Sequence, residues 1–118
     1  MDRVQAKVAF FIERKSRKTE HGHSIPREVT AVFVDEGNYR TKECYAHDGQ
    51  HGTCDVAWIA EECKPAKYEE YKPLYDEMNG LVGYDIEVID AAWWIAKAMD
   101  YLKAVQDYYE GKSETIAA

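Results

Sequence analysis

The segment between Asp90 and Gly111 constrains the fold most, because it contains neither glycine nor proline and repeats hydrophobic residues at helical spacing. Asp90 is a suitable N-cap and Gly111 a suitable stop signal. The sequence therefore predicts a long amphipathic C-terminal helix over 91–111, followed by a tail over 112–118.

The apolar surface of this predicted helix is wider than one packing face needs. Burial within the monomer, between a sheet and a neighbouring element, is the simplest use of such a surface. Because tryptophan and tyrosine are favoured at interfaces, the alternative is contact with a partner protein or with a second copy of the chain in a homodimer. The residues that could reach such an interface are Trp93, Trp94, Tyr108 and Tyr109.

Alternating apolar and polar residues over 4–12 predict a half-buried strand. A second β-branched run covers 29–34 and ends at Asp35-Glu36-Gly37-Asn38, which has the residue types of a turn. The polar and basic segment 13–27 contains Pro26, so we expect a loop or a long hairpin connection there.

Three shorter elements follow in the sequence. We expect a third strand over 41–45, a short helix over 56–60 capped by Asp55, and a final strand over 84–88, where apolar and acidic residues alternate.

A further helix is predicted after Cys63, with Pro65 in its first turn and Pro73 as a kink or restart point. Asn79-Gly80 is expected to end it. The side chains predicted to share its apolar face are Tyr68, Tyr71, Tyr75 and Met78.

These elements predict an α+β fold, in which a mainly antiparallel sheet of about four strands is packed by two or three helices. A chain of 118 residues is close to the commonest domain size, and 46% hydrophobic residues can fill one core. We therefore expect a single domain over 1–118, with a sheet-containing core over 1–90.

The apolar runs are short, and the run 8–12 is closed by three charged residues. This favours neither a signal peptide nor a membrane span. Three cysteines cannot all pair within one chain, so reduced thiols are expected. We predict a soluble cytoplasmic protein that does not bind a membrane.

Charge is distributed unevenly along the chain. Residues 1–34 carry a net charge of +3 and residues 35–118 a net charge of −10, giving −7 overall. An acidic surface repels nucleic-acid phosphates and favours basic partner surfaces. We therefore expect protein binding rather than direct nucleic-acid binding, unless the acidic face serves only solubility.

Two cysteines and two histidines form a C-x2-H-x3-H-x2-C pattern, which has the residue types of a structural zinc site. If a cofactor is present, we predict one zinc ion, although the short spacing would require a tight wrap around the metal. Cys63, His21 or His23 could replace one ligand, and the alternative is a metal-free glycine-rich turn. The four predicted ligands are Cys44, His47, His51 and Cys54.

The same cysteines and histidines allow a weaker hypothesis, a Cys/His-dependent enzyme in which Asp48 or Asp55 orients the base. Catalytic sets are usually assembled from distant parts of a chain, whereas these residues lie within one short segment. We therefore rank an enzyme third, below a binding protein and a zinc-stabilised domain, and name no catalytic residue.

A further pattern runs from Thr30 to Val88, with a Y-x-H-x-G-Q-H turn from Tyr45, a P-A-x-x-x-E-Y helix from Pro65 and a G-Y strand from Gly83. In these residues the chain resembles a family of small uncharacterised proteins encoded by phages, prophages and other mobile elements. The cysteines do not belong to that family's pattern. The resemblance implies a bacterial host cell and no catalytic residues.

These observations together predict a phage or mobile-element accessory protein that binds a host or viral protein with a basic surface. A concrete form is an inhibitor of bacterial defence of the anti-CRISPR type, which occludes a nucleic-acid-binding site. The alternative is a zinc-stabilised structural domain. The predicted partner-binding residues are Glu69, Glu70, Asp76, Glu77, Asp85, Glu87, Trp93 and Tyr108.

Overall fold

The computed structural model describes residues 3–46 and 50–117, with side chains described up to Gly111. The strands are β1 (Val4–Glu13), β2 (Arg17–Lys18), β3 (Ser24–Ile25), β4 (Val29–Gly37), β5 (Thr41–Ala46), β6 (Gln50–Asp55), β7 (Cys63–Pro65) and β8 (Tyr84–Val88). The helices are α1 (Val56–Glu62), α2 (Tyr68–Glu77) and α3 (Ala91–Ala117), and a π-helical turn (Met78–Val82) extends α2.

Six of the strands form one mixed sheet in the order β6-β5-β4-β1, with β7 and β8 sharing the remaining edge of β1. The start of β1 pairs with β8 in parallel, from Val4↔Tyr84 to Val8↔Val88. The end of β1 pairs with β7 in the antiparallel sense. Strand β1 is therefore the centre to which both halves of the chain attach. Strands β2 and β3 form a separate small hairpin.

The sheet is covered on both faces, because alternate residues of its strands are apolar on each side. On the first face, Val8 and Phe10 pack with Phe33 and Tyr45 beneath Leu74 and Met78, which belong to α2 and the π-helical turn. The ring of Tyr71 in α2 stacks on Phe10, with centroids 4.4 Å apart. We call this the α2 face.

The opposite face is covered by α1 and α3, and we call it the α3 face. Ala9, Phe11 and Val32 pack there against Ile59 of α1 and Trp94 of α3. The Trp94 ring meets Phe11 edge-on, with centroids 5.9 Å apart.

The α+β class, the three helices and the C-terminal helix are confirmed, whereas the expected strand number is wrong. The sheet has six strands rather than about four, and β8 makes it mixed. Residues 50–52, expected to lie in a glycine-rich turn, instead belong to strand β6 (Gln50–Asp55), which pairs with β5 along its length. Its side chains are mostly exposed, so it lacks the apolar alternation that identifies a strand.

The predicted features of α2 need three corrections. Pro65 lies in β7 rather than in the helix, and Pro73 does not restart α2, which continues through it over Tyr68–Glu77. Asn79-Gly80 does not end the helical path, because the π-helical turn continues to Gly83, whose φ of 91° provides the left-handed stop.

Helix α3 begins as predicted and ends later than predicted. The Asp90 carboxylate accepts a hydrogen bond from the Trp93 backbone N–H at 2.8 Å, as an N-cap does. Gly111 does not stop the helix, which continues to Ala117 through the expected tail. None of the helices within the described ranges combines the length and hydrophobicity that a bilayer span requires.

Candidate functional site

The candidate site is a groove of about 430 Å³ at the end of the sheet where β1 begins. Its lining includes Asp35 and Glu36 of β4, Asp85 and Glu87 of β8, and Lys7 of β1. We call it the acidic groove. It brings together carboxylates that are fifty residues apart in the sequence.

Strand β4 reaches the groove because it does not end at Val34. The segment Asp35-Glu36-Gly37, expected to form a turn, belongs to β4, and the pairing register with β5 shifts between Val32 and Gly37. The turn comes later, where the Asn38 Oδ1 atom accepts the backbone N–H groups of Arg40 and Thr41 at 2.9 Å each. This delay places two carboxylates on the sheet rather than in a loop.

Strand β8 is held at the groove from both of its ends. The Arg3 guanidinium donates to the Asn79 Oδ1 and Tyr84 backbone oxygens at 2.6 Å each, which fixes the entry into β8. At the exit, the Ile89 N–H donates to the Val8 carbonyl at 2.8 Å. The parallel register then sets Asp85 beside Gln5 and Glu87 beside Lys7.

The four groove carboxylates are exposed and carry uncompensated charge. Within residues 3–46 and 50–117, no ion pair or side-chain hydrogen bond involves Asp35, Glu36, Asp85 or Glu87. Lys7 is the one cationic residue in the groove lining. Carboxylates grouped in this way favour contact with cationic groups, and such a contact would break no ion pair within the described residues.

The predicted partner-binding carboxylates of α2 lie in a different setting. Glu70 accepts a hydrogen bond from the Lys67 backbone N–H at 2.8 Å and forms an ion pair with Arg27 at 3.5 Å. Both contacts stabilise the first turn of α2. The Lys72 ammonium donates to Asp76 at 2.7 Å, and this hydrogen bond raises the pKa of Lys72. Glu69 is exposed.

Glu77 has a structural contact that the sequence did not reveal. Its carboxylate accepts the hydroxyl of Tyr45, whose side chain is 1% exposed. The ring of His51 packs edge-on against Tyr45 at 4.8 Å, and His51 Nε2 lies 3.2 Å from the Tyr84 hydroxyl. These contacts join β5, β6, α2 and β8 into one polar cluster on the α2 face.

The predicted aromatic contacts, Trp93 and Tyr108, are both exposed on α3, at 59% and 63%. They are fifteen residues apart, which corresponds to about 22 Å along a helix. Trp93 follows β8 closely in the chain, whereas Tyr108 lies in the distal half of the helix. The two residues therefore belong to separate surfaces. Of the two remaining candidates, Trp94 is buried against the sheet, whereas Tyr109 is exposed.

The structure brings two of the four predicted zinc ligands together. Cys44 and Cys54 lie on adjacent strands on the α3 face, whereas His51 projects from the α2 face and contacts Tyr45. His47 and Asp48 lie outside the described residues. Within the described ranges, no three cysteine, histidine or acidic side chains cluster closely enough to hold a metal ion. Zinc binding by the four-residue set stays a prediction.

The alternative zinc ligands, and the residues of the catalytic hypothesis, also lie in different parts of the structure. Cys63 lies on the α3 face in β7, while His21 and His23 lie in the exposed β2–β3 hairpin. His51 borders the same cavity as Cys44 and Cys54, yet its ring nitrogen faces the Tyr84 hydroxyl. Within the described residues, no hydrogen bond joins a histidine to a cysteine.

The three thiols differ in their expected reactivity, since the thiolate is the nucleophile. A hydrogen bond from the Cys54 thiol lowers the pKa of Cys44, and the same hydrogen bond raises the pKa of Cys54. Burial raises the pKa of Cys63 to about 11. At pH 7.5, a Cys63 thiol is almost entirely protonated.

We therefore expect iodoacetamide at pH 7.5 to alkylate Cys44 before Cys63, as followed by peptide mass spectrometry. Raising the pH towards 10 should increase the Cys63 rate by a larger factor than the Cys44 rate, because the thiol with the higher pKa gains proportionally more thiolate over that range. Labelling of Cys63 before Cys44 in the folded protein would contradict this order.

Comparison with known proteins gives no functional assignment, because no protein-family model, curated protein or solved structure matches the chain.

Proposed function

We propose that the protein is an accessory protein of a phage or mobile element that binds a basic protein partner through the acidic groove. The observation that carries the proposal is the set of four exposed, unpaired carboxylates around one groove at the open end of the sheet. The mobile-element setting rests on the sequence resemblance alone.

The mechanism we propose is occlusion. Lysine and arginine side chains that normally meet nucleic-acid phosphates would meet Asp35, Glu36, Asp85 and Glu87 instead. Inhibition of a bacterial defence complex, of the anti-CRISPR type, is the specific form of this proposal. Trp93, which is exposed on α3 a few residues after β8, would supply an aromatic anchor.

The main binding charges are therefore proposed to lie on β4 and β8 rather than on α2. Glu70, Asp76 and Glu77 already have partners within the protein, so using them for binding would first require those contacts to be exchanged. A rim contact by Glu69 is compatible with the proposal.

The test compares two double variants with equal charge change. We expect Asp85→Lys with Glu87→Lys to reduce capture of the partner from a bacterial host lysate by at least about tenfold, because each removes attraction and adds repulsion. Glu61→Lys with Glu62→Lys, at exposed positions on α1, should retain capture. Retained proteins are identified by mass spectrometry at moderate salt.

Two further readouts sharpen this comparison. The wild-type complex should dissociate as salt rises, since exposed charges are screened. A third variant, Asp35→Asn with Glu36→Gln, should weaken binding without adding repulsion and should flatten the salt dependence. Equal capture by wild type and the β8 variant, with both folded by circular dichroism, would rule out the acidic groove as the binding surface.

A further inference from the structure

Cys44 and Cys54 form a close pair of thiols that the acidic groove does not use. Cys44 in β5 lies opposite Gly52 in β6, and Cys54 lies two residues further along β6, opposite Lys42. Residues two apart on a strand share a face, so both sulfur atoms lie on the α3 face. Gly52 leaves the space opposite Cys44 open, because an added Cβ there would meet nothing within 4 Å.

The two thiols are diagonal neighbours on adjacent strands and are only partly shielded from solvent. The Cys54 thiol donates a hydrogen bond to the Lys42 carbonyl oxygen at 3.6 Å. Both residues are half-buried and line a cavity of about 270 Å³, which Thr30 of β4 and Trp58 of α1 also border. A small ion can therefore reach both sulfurs.

The strand positions disfavour a direct disulfide. Diagonal neighbours on antiparallel strands have Cα atoms about 7–8 Å apart. Disulfides usually require about 4.4–6.8 Å, so closing one here would require the strands to shift. An ion between the sulfurs spans a longer separation, because each metal–sulfur bond adds about 2.3 Å.

Neighbouring side chains limit which ion fits. Structural zinc takes four ligands, and no third cysteine, histidine or acidic side chain joins this pair within the described residues. The carboxylates that border the cavity, Glu13 and Glu28, are occupied by the Arg17 guanidinium at 3.4 and 3.3 Å. Thiolate ligands alone favour soft ions such as Cu(I), which is satisfied by two sulfurs.

We propose that Cys44 and Cys54 together bind one Cu(I) ion as a two-thiolate site on the α3 face of the sheet. Both thiols lose their protons to solvent, two sulfur–copper bonds form, and the metal does not change its oxidation state. The site is independent of the acidic groove, so either can fail without the other.

The experiment titrates the reduced, full-length chain anaerobically with Cu(I) held by the chromophoric competitor bicinchoninate. Wild-type protein should withdraw one Cu(I) per chain. Cys44→Ser with Cys54→Ser should lose binding by more than the roughly 10–100-fold that removal of an outer-shell partner produces. Cys63→Ala is the matched control, since Cys63 lies on the same face yet outside the pair, and it should bind like wild type.

A protection assay keeps the test valid if the double variant fails to fold. Bound Cu(I) should block alkylation of Cys44 and Cys54 by N-ethylmaleimide in wild-type protein. Equal alkylation with and without Cu(I) would overturn the proposal. So would one equivalent of Zn(II) that excludes Cu(I), which would favour the four-ligand zinc set, or ready formation of a Cys44–Cys54 disulfide by oxidised glutathione in protein that takes up no Cu(I).

Discussion

Replacing Gly37 with alanine is expected to lower the free energy of unfolding by roughly 2–5 kcal/mol. Gly37 has a φ of 107°, which side chains disfavour by about 1–2 kcal/mol. In addition, an added Cβ would lie 2.3 Å from the Thr41 carbonyl oxygen and 2.9 Å from the Lys42 Cα atom. These are backbone atoms, so relief requires the β4–β5 connection to move, with an overpacking cost of about 1–3 kcal/mol.

Alanine substitutions at two other glycines distinguish the cost of the positive φ from the cost of the steric clash. Gly83 has a φ of 91° and open space around it, so alanine there should cost only the conformational term of about 1–2 kcal/mol. Gly52 has open space and no positive φ, so Gly52→Ala should change stability by less than about 0.5 kcal/mol. Urea denaturation of the three variants should rank the losses as Gly37, Gly83, Gly52. Equal losses at Gly37 and Gly52 would contradict the proposed close approach.

Gly37 also matters for the acidic groove, because it lies directly after Asp35 and Glu36. The register shift between Val32 and Gly37 is what carries β4 past its apolar run. We therefore expect Gly37→Ala to weaken partner capture even under conditions in which the variant remains folded.

The sequence predicted those strands that carry apolar side chains. The alternation in residues 4–12 and the apolar run 29–34 both correspond to strands, and the final strand 84–88 is confirmed at its predicted bounds. The expected half-buried strand 4–12 is instead buried on both faces over Val8–Ile12, because helices cover both sides of the sheet. Strand β6 was missed because its side chains are largely exposed. Its position comes from backbone pairing with β5, which leaves no hydrophobic signature.

The acidic groove could be predicted only in part. Asp85 and Glu87 were identified as partner-binding candidates from their charge, whereas Asp35 and Glu36 were assigned to a turn because Asp, Gly and Asn dominate turns. The parallel pairing of β8 with β1 brings Asp85 and Glu87 to the same groove as Asp35 and Glu36. A pairing between segments that are distant in the chain has no local sequence signal. For the same reason, the internal contacts of Glu70 and Glu77 could not be foreseen.

Replacing Phe10 or Phe11 with alanine is expected to cost about 3–5 kcal/mol in each case, as is usual for a buried phenylalanine. Their side chains are 2% and 1% exposed and project to opposite faces of β1. Small domains have total stabilities of about 5–15 kcal/mol, so either variant should be close to the limit of folding. Val4→Ala on the same strand, at a side chain that is 62% exposed, should change stability by less than about 0.5 kcal/mol.

Hydrogen exchange should distinguish the two phenylalanine variants by the face of the sheet on which amide protection falls first. Phe10→Ala removes the ring on which Tyr71 stacks, so amide protection should fall first in α2. Phe11→Ala removes the ring that meets Trp94, so protection should fall first in α3 and α1. Loss of α2 protection in Phe11→Ala alone would contradict the assignment of two separately packed faces.

These variants also distinguish stability from binding. The acidic groove belongs to β4 and β8, which both pair with β1 through the backbone, and it includes neither phenylalanine. At a temperature where Phe11→Ala remains folded, its affinity for the partner should therefore equal that of wild type. A substitution of a groove carboxylate should do the reverse, with affinity lost and the urea midpoint retained, because these carboxylates form no ion pair or side-chain hydrogen bond within the described residues.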